Sequence, residues 1–351
     1  MKTFCILSAF TILGTCANTR YTTKIQNLKD SIEIVDSTLI SKYSKTITAA
    51  ELSTHLYLFA SDKFEGRKLG SKGQKLASNF LKDYYIQERI KSPYGDAIYY
   101  QIIPKSFFPE EYNTSENVLA YIEGSEKPDE LIIISAHLDH LGIEIDGTIN
   151  YGADDDGSGT VAIMEIAQAF NKAKEEGHGP KRSILFLHLT AEEIGKHGSE
   201  FYTQHPVFPL ENTVTNLNID MIGRVDDIHT DNKDYLYIIG ADRLSKELHY
   251  LSEKVNNSFF NINLDYRYNA ENDKNNYYSR SDHYNFAKYN IPVIFYFNGE
   301  HDDYHKVSDT PDKIDYPLLE KRARLIFATA WQIANQEHRI ALDEDNQLLN
   351  N

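Results

Sequence analysis

The chain is predicted to adopt an α/β fold, with a mostly parallel, mixed central sheet and helices on both faces. Three observations predict it. From Leu131 onward, strand-like apolar runs alternate with loop and helix patterns to the C-terminus, the alternation that builds a parallel sheet. Metal-binding residue types follow, or sit just before, these signals. His137 follows Leu131–Ser135, Asp155 precedes an apolar helix, Glu193 follows Ser183–Leu189, Asp220 follows Val214–Ile219, and His305 lies in the loop after Val293–Phe297. In an open α/β sheet, ligands bind at the carboxyl ends of the strands. Finally, the 351 residues show no internal repeat and no linker dividing two domains; length alone is a soft guide to domain number.

The elements follow in order. Lys2 and the short apolar stretch Thr3–Gly14 read as an export signal, too short to span a bilayer. Leu13-Gly14-Thr15-Cys16 resembles a lipobox with Cys16 as the acylated residue, although Thr15 is unusual there. The expected division is a signal segment at 1–16, a tether and irregular segment at 17–45, one domain at 46–338 and a polar tail at 339–351. The protein is expected to be exported: periplasmic or envelope-associated, lipid-anchored through Cys16, or secreted. Thr48–Ala60 has helical periodicity, with Leu52, Leu56 and Phe59 on one face. Gly70, Ser71 and Gly73 interrupt the chain before an amphipathic helix at Gln74–Glu88. Ala97–Ile103 and Val118–Ile122 read as strands, and Arg243–Val255 and Leu318–Gln336 as later helices. Asn269–Ser279 is polar and tyrosine-rich, the pattern of a mobile loop.

Composition narrows the function. A formal net charge of −16 argues against nucleic-acid partners, which need basic stripes. Both cysteines, Cys5 and Cys16, lie in the signal segment, so the mature chain has neither a disulfide nor a thiol nucleophile. There is no His-Glu-x-x-His helix, no Gly-x-Ser-x-Gly elbow, no Walker loop and no dinucleotide fingerprint.

Five motifs carry the chemistry. His137-Leu138-Asp139 puts two side chains on one side of an extended segment, where Asp139 can accept the second ring N–H of a ligand histidine. Asp154-Asp155-Asp156 is flanked by Gly152 and Gly157. An EF-hand register fails, because Gly152 and Ile163 would fall at its first and twelfth positions. Three adjacent carboxylates repel unless cations neutralise them, which favours a metal-bridging carboxylate at Asp155. Glu192-Glu193 suits two tasks, one carboxylate binding metal while its neighbour acts as general base. Asp220 closes a strand. Asp303–Thr310 supplies His305 and also Tyr304, a candidate donor to a developing oxyanion, with His283 and His301 nearby. His188 and His205 read as structural or exposed.

Six segments together resemble the M28 metallopeptidases, the co-catalytic zinc aminopeptidase family. They are Ala136–Gly142, Gly152–Gly159, Ala191–Glu193, Asn218–Arg224, Arg280–His283 and Tyr304-His305, in order and spacing over roughly residues 50–335. Ser61–Arg67 also resembles the segment many bacterial members carry before the catalytic core. The resemblance implies a phosphorylase/hydrolase-like zinc peptidase fold and two Zn²⁺ ions bridged by Asp155. His137 and Asp220 would complete one site, and Glu193 and His305 the other. Mn²⁺ or Co²⁺ also suit such donors. Glu192 would be the general base, Asp139 the orienting partner of His137, and Tyr304 a carbonyl-polarising group. The implied activity is hydrolysis of the N-terminal bond of peptides with a free N-terminus, through a zinc-activated water. Two rivals stand. A glutaminyl cyclase-like acyltransferase of the same fold would have one zinc and Trp where Tyr304 stands. A non-catalytic interaction module would have lost ligands, all five of which are present here.

Overall fold

The computed structural model describes residues 22–95 and 97–344. The expected signal segment, Cys16 and residues 345–351 of the expected tail lie outside them. Ten strands are present among the described residues: β1 Tyr100–Ile103, β2 Ser115–Ile122, β3 Lys127–His137, β4 Gly142–Ile143, β5 Ile149–Asn150, β6 Arg182–Leu189, β7 Thr213–Ile219, β8 Tyr235–Ile239, β9 Asn263–Asp265 and β10 Val293–Phe297. The helices are α1 at residues 22–31, α2 Ser37–Ser44, α3 Ala49–Phe59, α4 Lys72–Gln87, α5 Gly159–Glu175, α6 His197–Gln204, α7 Lys246–Phe259, α8 His283–Ala287 and α9 Tyr316–Asn335.

Eight strands form one mixed sheet in the order β1-β2-β6-β3-β7-β10-β8-β9. Its centre, β6-β3-β7-β10, is parallel. Antiparallel pairs lie to either side, β1/β2 and β2/β6 on one flank and β10/β8 on the other. Strand side chains alternate between faces. Ile132 and Ile134 of β3 and Ile184 and Phe186 of β6 therefore join one core with Phe170 of α5 and Trp331 of α9. Leu131, Ile133, Leu185 and Leu187 join a second core with Tyr202 of α6 and Phe286 of α8. Covering both faces is what makes these strands read as unbroken apolar runs.

The register places the site. His137 pairs with Leu189, Ser135 with Asn218, and Ile219 with Tyr296. The carboxyl ends of the central strands are thus level, and whatever follows each strand meets at one edge.

Helix starts follow side-chain caps. Thr48, Ser71 and Ser245 accept the amides of Glu51, Gln74 and Leu248, each such cap stabilising its helix by about 1 kcal/mol. Several expectations need correction. Within the segment expected to hold a tether and an irregular first helix, residues 22–31 and Ser37–Ser44 form two regular helices. Ile40 and Tyr43 are fully buried, and Tyr43 stacks on Trp331 at 5.6 Å. So short an apolar stripe is masked in the sequence by its polar neighbours. The strand β8, buried throughout, and its neighbour β9 were not anticipated. Residues 341–344 of the expected polar tail are held against the start of α7, where Ala341 N donates to Glu247 and Lys246 N donates to Asp343. The segment expected to be a mobile loop is anchored by Asn269, which accepts Gly240 N, and by the buried ring of Tyr277 against Phe297. Among the described residues no helix is long and apolar enough to cross a membrane.

Candidate metal centre

His137 is the last residue of β3, and Asp220 directly follows β7. Glu192 and Glu193 lie just beyond β6, and His305 lies in the loop after β10. Asp155 comes from a tight turn before α5. Gly152 opens that turn at φ 54°, and a Cβ there would stand 2.2 Å from the Asp155 carbonyl oxygen and 2.5 Å from the His140 ring, so only glycine fits.

The three aspartates divide their tasks. Asp154 accepts Gly223 N at 2.7 Å and faces His301 at 3.1 Å. Asp156 accepts His137 N, Gly159 N and Met221 N, tying together the ends of β3 and β7 and the start of α5. The carboxylate of Asp309 receives the amides of Asp154 and Asp155. Asp155 is left to point into the centre.

There its two oxygens face opposite ways. Oδ1 lies 3.1 Å from His137 Nε2, which is itself 3.6 Å from Asp220 Oδ1. Oδ2 lies 3.1 Å from His305 Nε2, which is 3.1 Å from Glu193 Oε2. Potential ligand atoms of His137, Asp155 and Asp220 lie within 4.8 Å of one another, as do those of His140, Asp155 and Glu193. Asp155 Oδ2 is buried without a hydrogen-bond partner. Buried carboxylates crowded together like these repel one another unless a cation neutralises them, and these nitrogen and oxygen donors suit zinc. The residues present therefore fit zinc, in two candidate donor groups that share Asp155.

Electrostatics agrees. Burial disfavours the Asp155 carboxylate, yet His137 and His305 beside it outweigh burial and hold its pKa well below the usual range. Burial likewise disfavours a charged His137, but Asp220 and Asp155 hold its pKa well above the usual value. Glu192 behaves oppositely. Burial, followed by the charges of Asp220, Asp282 and Glu193, pushes its pKa well above that of an ordinary carboxyl.

One role changes form. His137 Nδ1 donates to the main-chain carbonyl of Asp139 at 3.1 Å, whereas the nearer carboxylate oxygen of Asp139 is 3.8 Å away. A carbonyl only accepts, so Nδ1 carries a proton whether the ring is neutral or charged, and Nε2 is the atom left facing Asp155 and Asp220. The Asp139 carboxylate instead accepts Glu192 N at 3.1 Å, fixing the turn that delivers Glu192. The backbone bends after β3, and strand alternation no longer applies there.

Two residues were missed as partners. His140 is buried, with Nδ1 2.7 Å from Glu193 Oε1; the repeated histidine in His137-Leu138-Asp139-His140 was its only signal. Ser281 Oγ donates to Asp220 Oδ2 at 2.6 Å. Tyr304 stacks on His305 at 3.9 Å and accepts a hydrogen bond from Arg280 Nη2 at 3.4 Å. With Glu192, Met221, Tyr277 and Phe297 it lines a cavity of about 50 Å³. His301 serves Asp154, His283 stacks on Phe295, and His188 is buried against the Tyr85 hydroxyl.

Comparison with known proteins gives the same direction. The model of peptidase family M28 matches residues 117–330. A probable zinc metalloprotease of Pyricularia oryzae is 27% identical over 261 residues, covering 62% of this chain and 50% of that protein. Leucine aminopeptidase 1 of Penicillium rubens is 26% identical over 225 residues, covering 62% and 56%. A probable glutamate carboxypeptidase of Arabidopsis thaliana is 37% identical over 106 residues, covering 30% and 14%. The chain thus spans between 14% and 56% of the length of these three relatives. Among solved structures, the LapA aminopeptidase of Legionella pneumophila has the same fold, with TM-score 0.68 at 22% identity over 88% of this chain and 77% of that one. The zinc aminopeptidase BSAP of Bacillus subtilis has TM-score 0.64 at 15% identity over 86% and 99%.

Proposed function

The chain belongs to peptidase family M28, and from that premise we propose that it is a metal-dependent aminopeptidase cleaving the N-terminal bond of peptides. The observation that carries the reading is Asp155, whose two oxygens face two separate ligand groups. His137, Asp155 and Asp220 would hold one zinc, and Asp155, Glu193 and His305 the other; Mn²⁺ or Co²⁺ suit the same donors. When bound, the two ions supply Lewis acidity toward the scissile carbonyl and lower the pKa of water.

The remaining work falls to side chains. Glu192, half-buried and with a raised pKa, takes the proton of the attacking water and returns it to the leaving amine. Tyr304 donates a hydrogen bond from its hydroxyl to the oxygen that becomes negative as water attacks. His140 orients Glu193, Ser281 orients Asp220, and the Asp139 carbonyl fixes the His137 tautomer. The substrate is a peptide with a free amino terminus. The catalytic unit is proposed as one domain over 46–338. Residues 1–16 are proposed as the export signal, with lipidation at Cys16 testable by metabolic labelling of wild type and Cys16→Ser.

Metal analysis of the purified protein, combined with an assay on aminoacyl-chromophore amides, tests the reading. Two metals with amide hydrolysis support it. One metal with pyroglutamate formation favours the cyclase, and a panel varying only the first residue defines the preference.

A further inference from the structure

Arg67 lies outside the region that matches the family model, in the turn Asp62–Arg67 before α4. It is nevertheless only 1% exposed. Its guanidinium makes four hydrogen bonds, all to main-chain carbonyls. Nε donates to Leu138 O at 2.9 Å, Nη1 to Tyr151 O at 2.7 Å and Phe59 O at 3.2 Å, and Nη2 to Gly152 O at 2.8 Å. The Phe59 ring stacks on it at 4.5 Å. Its own carbonyl accepts His140 N at 3.3 Å. Burying a cation without a contacting carboxylate costs several kcal/mol unless its donors are satisfied. Here three of the four satisfying groups belong to the two backbone turns that present metal-ligand candidates, and the fourth, Phe59 O, ends α3. Leu138 is next to His137, and Tyr151 and Gly152 lead directly into the Asp155 turn. The contact is close along the whole segment: a Cβ on Gly66 would stand 2.4 Å from Asn150 O and 2.6 Å from Gly142 O.

We propose that Arg67 is a positioning residue for metal binding, a planar fork that sets the separation of the His137 turn and the Asp155 turn. The proposal rests on the metallopeptidase reading and extends the metal-binding unit upstream of residue 117. A lysine retains the charge but presents a single ammonium, which cannot span carbonyls spread around a flat guanidinium.

The test uses the full chain, stripped of metal and titrated with zinc against a chromophoric chelator, in wild type, Arg67→Lys and Arg67→Gly. Arg67 has φ 52°, a left-handed conformation that glycine adopts without strain, so Arg67→Gly removes the fork while sparing the backbone. Both variants should bind zinc about 10–100-fold more weakly, the usual effect of losing an outer-shell partner. Low-millimolar guanidinium should restore affinity to Arg67→Gly and leave Arg67→Lys unchanged. Cobalt-loaded Arg67→Lys, which reports even where Arg67→Gly does not fold, should show an altered visible spectrum. Wild-type zinc affinity in folded variants overturns the proposal, as does an affinity loss in Arg67→Gly that guanidinium leaves untouched. A wild-type chain that takes up no zinc instead sinks the metallopeptidase reading itself, and this proposal with it.

Discussion

Glu192→Gln should leave the fold and the metal content intact while removing most of the turnover. The amide keeps the shape of the carboxylate and removes one negative charge from a cluster that also contains Asp155, Glu193 and Asp220. Its backbone N–H bond to Asp139 is unaffected by the change. What is lost is the ability to accept a proton. A general base contributes roughly 10²–10⁴-fold, or about 2.7–5.4 kcal/mol at 1.36 kcal/mol per tenfold. The upper half of that range is expected here, because no neighbour can substitute. Glu193 is engaged by His140 and His305, and Asp220 by Ser281. The assay is kcat on an aminoacyl-chromophore amide, with metal content measured on the same sample. A kcat within tenfold of wild type at full metal occupancy would refute Glu192 as the base.

Asp155→Ala should abolish binding of both ions at wild-type affinity, since it removes the one ligand they share; retention of two ions after dialysis would contradict the shared role. Tyr304→Phe should lower kcat more than it raises KM, by less than the roughly 2.7–4 kcal/mol of a sole oxyanion donor, because a metal ion would share the charge; an unchanged kcat at full occupancy would leave Tyr304 only a packing partner of His305. His140→Ala should weaken zinc binding about 10-fold or more at the Glu193 side and spare the Asp220 side, read as one altered step in a two-step titration. His283 is buried, which lowers its pKa to about 3. Below about pH 6.5 the unfolded chain binds a proton there that the folded chain does not, so stability falls with pH by up to about 1.36 kcal/mol per unit down to about pH 3. His283→Phe, which preserves stacking on Phe295, should flatten that slope in urea titrations at successive pH values; an identical slope would show that His283 does not govern it.

The central sheet was legible because its strands are covered on both faces and therefore uninterrupted in apolar character, as in Leu131–Ser135 and Val293–Phe297. His137, Glu193 and Asp220 were legible because they stand at or just beyond strand ends, where the open sheet collects them, whereas Asp155 precedes α5 and His305 lies in the loop after β10. Residues whose meaning is set by turns were not. Alternation pointed the Asp139 carboxylate at His137, but the chain bends after His137 and the carbonyl takes that place. Asp155 was singled out among the three aspartates, but the run gave no hint that Asp156 braces three amides. His140 and Arg67 act across gaps in sequence of 53 and 71 residues, to Glu193 and to Leu138 O, and local pattern carries no trace of such distances. The limits of the helix Ser37–Ser44 were hidden by its polar outer face, and β8 by the tyrosines it contributes to the core.

Anomalous diffraction at the zinc edge, from crystals of the wild-type protein grown with zinc, tests the shared role of Asp155 most directly. Two peaks are expected about 3.5–4 Å apart. Each should lie about 2.0–2.2 Å from a different oxygen of Asp155, one also within reach of His137 and Asp220, the other of Glu193 and His305. A single peak, or two peaks that do not share Asp155, would contradict it.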